Sequence, residues 1–146
     1  MSAGSPCRAQ QALSEARKWL GTPYQHQASL RGAGCDCLGL VRGVWRALYG
    51  GEPFAVPPYG MHWAETGRED TLLHAAGRYL TALPMQDAAP GDVILFRLTP
   101  RHVAKHCAIL SAPGRMIHAY WGQCVSETAL TPWWRRRMAA AFRFPD

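Results

Sequence analysis

Lysine is scarce in this chain: Lys18 and Lys105 stand against fourteen arginines. The net charge of +6 is therefore an arginine bias, which genomic base composition produces as readily as selection for phosphate contacts. A specific nucleic-acid partner is not expected. Long apolar runs are missing as well. Nowhere do ~18 consecutive apolar residues occur, so no segment is suited to span a bilayer as a helix. The first residues, Met1 to Gln10, are polar and carry nothing like the apolar run of an export signal, so synthesis in the cytoplasm without signal cleavage is expected. Charged residues reach only 18% while hydrophobic ones make up 48%, a balance that argues against a disordered chain. The 5 cysteines are an odd number in a chain long enough to form its own core. No closed disulfide framework is implied, and reduced thiols are expected. Internal repeats, linkers and low-complexity tracts are also missing. The 146 residues suit one domain, expected to run over 1–146.

Helical signals come first along the chain. Ser5-Pro6 has the form of an N-cap followed by proline at the first helical position, and the run Ala9 to Leu20 stops at Gly21-Thr22-Pro23. A glycine-bearing loop from Tyr24 to Cys35 leads to a second helix with Leu40, Val41, Val44, Trp45 and Leu48 at helical spacing, closed by Gly50-Gly51. Three prolines make Glu52 to Gly60 an irregular loop, and a third helix is expected within Gly67 to Leu83, carrying Leu72, Leu73, Ala76 and Leu80 on one side. After Pro90-Gly91-Asp92 the pattern turns to short β runs: Val93 to Arg97, Lys105 to Ser111, Met116 to Trp121, Gln123 to Glu127 and Ala140 to Phe144. Helices gathered ahead of strands imply an α+β fold, with helices packed on an antiparallel sheet. The run Arg135-Arg136-Arg137 after Trp133-Trp134 reads most simply as a solvated helix face, with a polyanion contact as the alternative.

The chemistry points to Gly34-Cys35-Asp36-Cys37-Leu38-Gly39-Leu40. Asp36 is a good N-cap, which places Cys37 in the first helical turn, where unpaired backbone N–H groups and the helix dipole favour a thiolate. Cys37 is the candidate nucleophile, although a cysteine near a helix start is often no more than a small buried hydrophobe. Gly39 leaves the first turn open to an approaching substrate carbonyl. A thiolate nucleophile needs a base and a group that orients the base. His106 and His118 lie in consecutive β runs joined by Ala112-Pro113-Gly114. A three-residue loop that pairs Ser111 with Arg115 puts both histidines diagonally on one face; a two-residue Pro113-Gly114 turn puts them on opposite faces.

The residues carry a resemblance. Gly21-Thr22-Pro23-Tyr24, Asp36-Cys37-Leu38-Gly39-Leu40-Val41, Ala89-Pro90-Gly91-Asp92-Val93, His106-Cys107-Ala108-Ile109 and Ile117-His118-Ala119 follow one another in an order similar to that of the NlpC-like papain-fold cysteine peptidases of bacterial cell walls. The short versions carried by tailed phages and gene transfer agents look most alike. The resemblance covers nearly the whole chain and implies a papain-like α+β fold of N-terminal helices on a C-terminal antiparallel sheet. It implies Cys37 as nucleophile, His106 as general base and later acid, and His118 as the orienting group. It also implies that Tyr24 reaches the site to place substrate or polarise the scissile carbonyl, and that the Cys37 backbone N–H helps hold the oxyanion. Asp36, besides capping the helix, would meet a free amino group of a stem peptide; capping alone is the simpler reading.

The implied activity is hydrolysis of an amide bond in peptidoglycan stem peptides or cross-bridges, with no cofactor and no metal. The implied setting is the cell wall or periplasm, reached on a phage-tail-like particle whose structural proteins are its partners. Two features depart from the family pattern: Leu38 stands where many members have serine, and Cys35 adds a thiol beside Cys37. Two other readings remain. One is a non-catalytic structural or wall-binding tail module. The other is a metal-binding domain using Cys35, Cys37, His106, Cys107 and His118, whose Cys-x-Cys and His-Cys spacings are unlike those of paired Cys-x-x-Cys zinc sites.

Overall fold

The computed structural model describes residues 6–52, 71–99 and 104–146. Helix α1 (Arg8–Arg17) starts later than the sequence suggests, with Cys7 as its N-cap. Gln10 explains the shift: its side-chain oxygen accepts from the Cys7 N–H at 2.9 Å, while the Gln11 amide donates to the Pro6 carbonyl at 3.2 Å. Pro6 thus precedes the cap and does not open the helix; Ser5 lies outside the described residues. Next come two very short strands, β1 (Ser29–Leu30) and β2 (Gly34–Cys35), paired as an antiparallel ribbon. Helix α2 (Cys37–Tyr49) follows the expected spacing, burying Leu40, Val41 and Val44, and it ends at Gly50 with a φ of 84°. Helix α3 (Thr71–Tyr79) falls inside the expected window and buries Leu72 and Ala76. The proline-rich loop expected from Glu52 to Gly60 lies outside the described residues, except for Glu52. Among the described residues, no helix is long and apolar enough to cross a membrane.

The remaining chain builds one six-stranded antiparallel sheet. Its strands are β3 (Thr81–Leu83), β4 (Val93–Phe96), β5 (His106–Ala112), β6 (Arg115–His118), β7 (Ser126–Ala129) and β8 (Met138–Arg143), ordered β3-β8-β4-β5-β6-β7. Both faces are apolar. Val93, Leu95, Cys107, Ile109 and Ile117 join Ala12, Ala16, Leu40, Val44 and Leu72 of the helices in the main core. On the other face Ile94, Phe96, Ala108, Leu110 and Met116 form a second cluster, covered in part by Trp134 of the one-turn helix α4 (Pro132–Arg135). Burial on both sides is why β4 reads as the unbroken apolar run Val-Ile-Leu-Phe. The fold is α+β, as expected.

Several local expectations are corrected. The strand expected over Met116 to Trp121 ends at His118, because a turn closes with Gln123 N–H donating to the Tyr120 carbonyl at 3.0 Å. The strand expected over Gln123 to Glu127 accordingly moves to Ser126–Ala129. Helix α4 meets the helix face expected at Arg135-Arg136-Arg137 only at Arg135, with Arg136 as its C-cap; its start at Thr131-Pro132 was not read from the sequence, although that pair has the form of a helix start. The hairpin between β5 and β6 is the most consequential case. Its turn is Pro113-Gly114 with Ala112 opposite Arg115, not the three-residue loop with Ser111 opposite Arg115. The register then slips by one residue between Leu110 and Ala112, so Ile109 pairs with Ile117 as the longer loop would have required. His106 and His118 therefore share a face in spite of the short turn.

Pro90-Gly91-Asp92 locks this sheet to α1 and to its own neighbour. Gly91 has a φ of 97°, and a Cβ there would lie 1.9 Å from the Ala9 carbonyl oxygen, so glycine is required by both conformation and space. Asp92 is fully buried at the start of β4, where its carboxylate accepts from Ala89 N–H at 2.8 Å and from Arg143 Nε and Nη2 at 2.9 and 2.8 Å. A two-point charge-assisted bond of this kind fixes β8 against β4 in orientation as well as distance. Gly91→Ala should lower unfolding free energy by more than about 3 kcal/mol in urea titrations, since strain and a backbone clash add. Gly122→Ala, at a φ of 73° with nothing within 4 Å, should cost about 1 kcal/mol. Equal losses for the two variants would contradict the close approach to α1.

Candidate active site

The start of α2 is held by one carboxylate. Asp36, 3% exposed, accepts through Oδ1 from Gly39 N–H at 2.7 Å and through Oδ2 from Gln27 N–H at 2.8 Å. The first contact is the helix cap, of a kind whose loss costs about 1 kcal/mol. The second pins Gln27, a non-glycine residue with a φ of 65°, and with it the loop leading from Tyr24. Cys37 is thereby the first residue of the helix, as expected. The expectation for Gly39 is corrected: a Cβ there would lie 1.9 Å from the Ala28 carbonyl oxygen, so the glycine admits the chain's own backbone and not a substrate.

His106 opens β5 and His118 closes β6, each 4% exposed. His106 Nε2 and His118 Nδ1 are 2.9 Å apart, and His118 Nε2 is 2.9 Å from Thr128 Oγ1 on β7. With Nε2 committed to His118, the nitrogen of His106 left for Cys37 is Nδ1. Tyr24 is tied by a parallel bridge to Cys35, two residues before the nucleophile, its ring centroid 5.8 Å from that of the exposed Trp121. The structure thus brings Cys37, His106 and His118 into one hydrogen-bonded run, with Tyr24 and Asp36 beside the nucleophile.

Electrostatics separates the thiols. A hydrogen bond from Cys107 and another from His106 hold the Cys37 thiol well below its ordinary range, with the charge of His106 adding to them. Burial acts in the opposite sense and is outweighed. Cys107, the donor, is pushed well above its ordinary range, first by that bond and then by its own burial. Burial, followed by the nearby Asp36 and Cys37, raises Cys35 to about 12. Tyr24 is raised to about 12, chiefly by burial and then by Cys37, so its phenol keeps a proton to donate. His118 is lowered to about 3 by burial and by the positive charge of His106. It stays a neutral ring. A thiol next to an imidazole that is steadied by a second, neutral imidazole is suited to nucleophilic attack on a carbonyl.

Residues not singled out by the sequence reading complete the surroundings. Rings of Tyr120 and Trp134 lie 5.4 and 5.2 Å from His106, and Phe96 lies at 5.8 Å, so apolar surface screens the imidazoles from water. Trp134 also meets His118 edge-on at 5.3 Å. Its signal was the Thr131-Pro132 cap, which begins a helical turn that swings the second tryptophan of the pair over β5 and β6. Cys107 was read only as part of the His106 motif and as a ligand in the metal-binding alternative; its side chain lies on the helix-facing side of the sheet, which is what brings it to Cys37. Leu38 turns toward the apolar space between α2 and α3, packing with Val41, Trp45 and Leu72. Among the described residues, no three His, Cys, Asp or Glu side chains are grouped to hold a metal ion.

Comparison with known proteins decides the family, because the NlpC/P60 family model matches residues 21–143. The chain belongs to the NlpC/P60 family. A curated relative is the gamma-DL-glutamyl hydrolase of Bacillus subtilis (strain 168), 28% identical over 135 residues that cover 92% of this chain and 29% of that protein. The chain thus spans under a third of that relative's length. Among solved structures, the NlpC/p60 domain of the peptidoglycan hydrolase SagA superposes with a TM-score of 0.64 at 22% identity, over 94% of this chain and 100% of that one. RipD of Mycobacterium tuberculosis, described as a non-catalytic NlpC/p60 domain protein adapted to peptidoglycan binding, gives 0.56 at 15% identity over 95% and 98%. These two likenesses establish the shared fold.

Because the Cys37 thiol titrates below its ordinary 9.0, its thiolate persists as pH falls toward neutrality. Iodoacetamide at pH near 6 should therefore alkylate Cys37 well ahead of Cys35 and Cys107, read by peptide mass spectrometry, and His106→Ala should slow that labelling at least ~10-fold. Labelling of Cys35 ahead of Cys37 would contradict the electrostatic assignment.

Proposed function

We propose that this NlpC/P60 chain is a cysteine hydrolase that cleaves an amide bond in peptidoglycan stem peptides or cross-bridges through a thioacyl-enzyme. The observation that carries the reading is the run from Cys37 through His106 to His118, with the nucleophile's thiol drawn down and the last imidazole kept neutral. The Cys37 thiolate attacks the scissile carbonyl, and the Cys37 backbone N–H and the Tyr24 hydroxyl face the oxygen that becomes negative. His106, protonated at Nδ1, gives that proton to the departing amine. It then takes a proton from water, which attacks the thioacyl carbon and releases Cys37 as thiolate. His118 accepts from His106 Nε2–H throughout. Asp36 is given the role of holding Cys37 at the helix start, since its oxygens are engaged within the chain, in preference to contact with a substrate amino group.

Support for a peptidoglycan substrate comes from the likeness to the peptidoglycan hydrolase SagA and from the motifs of the sequence, while the Bacillus subtilis gamma-DL-glutamyl hydrolase supports hydrolysis at a γ-glutamyl bond. RipD favours a second reading, wall binding without catalysis on the same fold. The hydrogen-bonded Cys37-His106-His118 set favours catalysis over it. Delivery to the wall on a phage-tail-like particle belongs to the same proposal and rests on the resemblance to short tail-associated versions; co-purification of the chain with assembled particles tests it.

Purified peptidoglycan digested by the wild-type chain should release muropeptides identifiable by mass spectrometry, including cleavage at a γ-glutamyl bond if the relative's specificity is shared. Cys37→Ala should abolish release. His106→Ala should reduce kcat by ~10³-fold or more, and His118→Ala by a smaller factor, because orientation contributes less than proton transfer. Wall binding without release by the wild type would favour the second reading, and full activity of Cys37→Ala would remove the mechanism.

A further inference from the structure

The hydrogen-bonded run does not end at His118. Its outer nitrogen, Nε2, sits 2.9 Å from the hydroxyl of Thr128, a half-buried residue in the strand β7 that carries none of the groups assigned above. We propose that Thr128 is a positioning residue, whose hydroxyl accepts from His118 Nε2–H and so fixes the direction in which the whole run of protons points. The proposal rests on the functional reading above and deepens it.

The argument is one of counting protons. For His106 to take a proton from Cys37, its Nδ1 must be a lone pair, and its single proton must then sit on Nε2. That proton needs an acceptor 2.9 Å away at His118 Nδ1, which leaves His118 with its own proton on Nε2. Once His106 is an imidazolium, no other arrangement is possible with a neutral His118: a proton on Nδ1 would set two N–H groups against each other. Burial keeps His118 from charging to escape the conflict. The Nε2–H that results is itself largely enclosed, and an enclosed donor without an acceptor costs free energy. Thr128 Oγ1 supplies the acceptor.

The residue type matters as well. A carboxylate in that place would accept the same proton but would bring a negative charge, favouring a charged His118 and drawing the positive charge away from the thiolate. A hydroxyl accepts without charge. It therefore leaves the cation on His106, next to Cys37, where the thiolate and the oxyanion step both need it. The titratable groups that face this pair are Cys107 on β5, His118 on β6 with Tyr120 after it, and Cys35, Asp36 and Tyr24 around the start of α2. A change at Thr128 leaves all of them in place.

The test uses the full chain with Thr128→Val, which keeps the shape and removes the acceptor, and Thr128→Ser, which keeps the hydroxyl. Two readouts are compared: the pH midpoint of Cys37 alkylation by iodoacetamide, and kcat with KM on peptidoglycan fragments. Thr128→Val should raise the alkylation midpoint by about one pH unit and lower kcat roughly 10- to 100-fold with KM within about twofold. Thr128→Ser should return both close to wild type. A midpoint and kcat unmoved in Thr128→Val would overturn the proposal, as would a loss of melting temperature alone. Should the valine variant not fold, nitrogen-15 NMR of the wild-type histidine rings decides: His118 protonated at Nε2 supports the proposal and protonation at Nδ1 overturns it. A wild type that shows the shift in alkylation between variants but hydrolyses nothing would sink the catalytic reading and leave the positioning claim standing.

Discussion

A hydrogen bond of 2.9 Å between His106 and His118 can form only if β5 and β6 present both imidazoles on the same side of the sheet. A hairpin with a two-residue turn and perfect pairing would forbid it, because neighbouring strand positions face opposite ways. The one-residue slip between Leu110 and Ala112 restores the pairing of Ile109 with Ile117 and turns His118 back toward His106. Everything downstream uses that correction: the ring nitrogen left for Cys37, the neutral state of His118 and the reach of its far nitrogen to β7. The slip costs regularity at one position of the ladder and provides the geometry of the site.

Two anchors bring the nucleophile to this pair. Asp36 joins the first turn of α2 to the loop at Gln27, and Asp92 with Arg143 sets β4, the strand paired with the His106-bearing β5, against β8. Both carboxylates are buried, yet each is answered by two or more donors, so the cost of removing them from water is offset locally. Around the reacting groups the balance is different. Burial alone would keep Cys37 a thiol, and it is the donors Cys107 and His106 that reverse the sign. The same burial, unopposed, leaves Cys35 and Tyr24 protonated. Among Cys35, Cys37 and Cys107, the one thiol held down is singled out by its donors as well as by its place after the Asp36 cap.

How much of this was legible beforehand follows from the range of each interaction. The cap at Asp36, the helix spacing from Leu40 to Leu48 and its stop at Gly50 are local, and they hold as read. The α+β arrangement and five motifs in order pointed to the family. Strands of two or three residues have no period to detect, which hid β1, β2 and β3. Contacts between distant strands hid the rest. Nothing near His118 in sequence announces Thr128 on another strand, and Trp134 meets the histidines from a one-turn helix after β7. Gly39 was misread for the related reason that the group filling its open side, the Ala28 carbonyl, belongs to a loop whose path depends on Asp36.

The central claim is that Cys37 forms a covalent bond to the acyl part of a wall peptide. Intact-protein mass spectrometry of the wild-type chain, mixed with peptidoglycan fragments and acid-quenched within the first turnover, tests it most directly. The account predicts a mass increase equal to the acyl fragment, located by proteolysis on the peptide containing Cys37 and absent when the thiol has been alkylated. Hydrolysis products formed while that peptide stays unmodified, or an acyl group found on another residue, would contradict it.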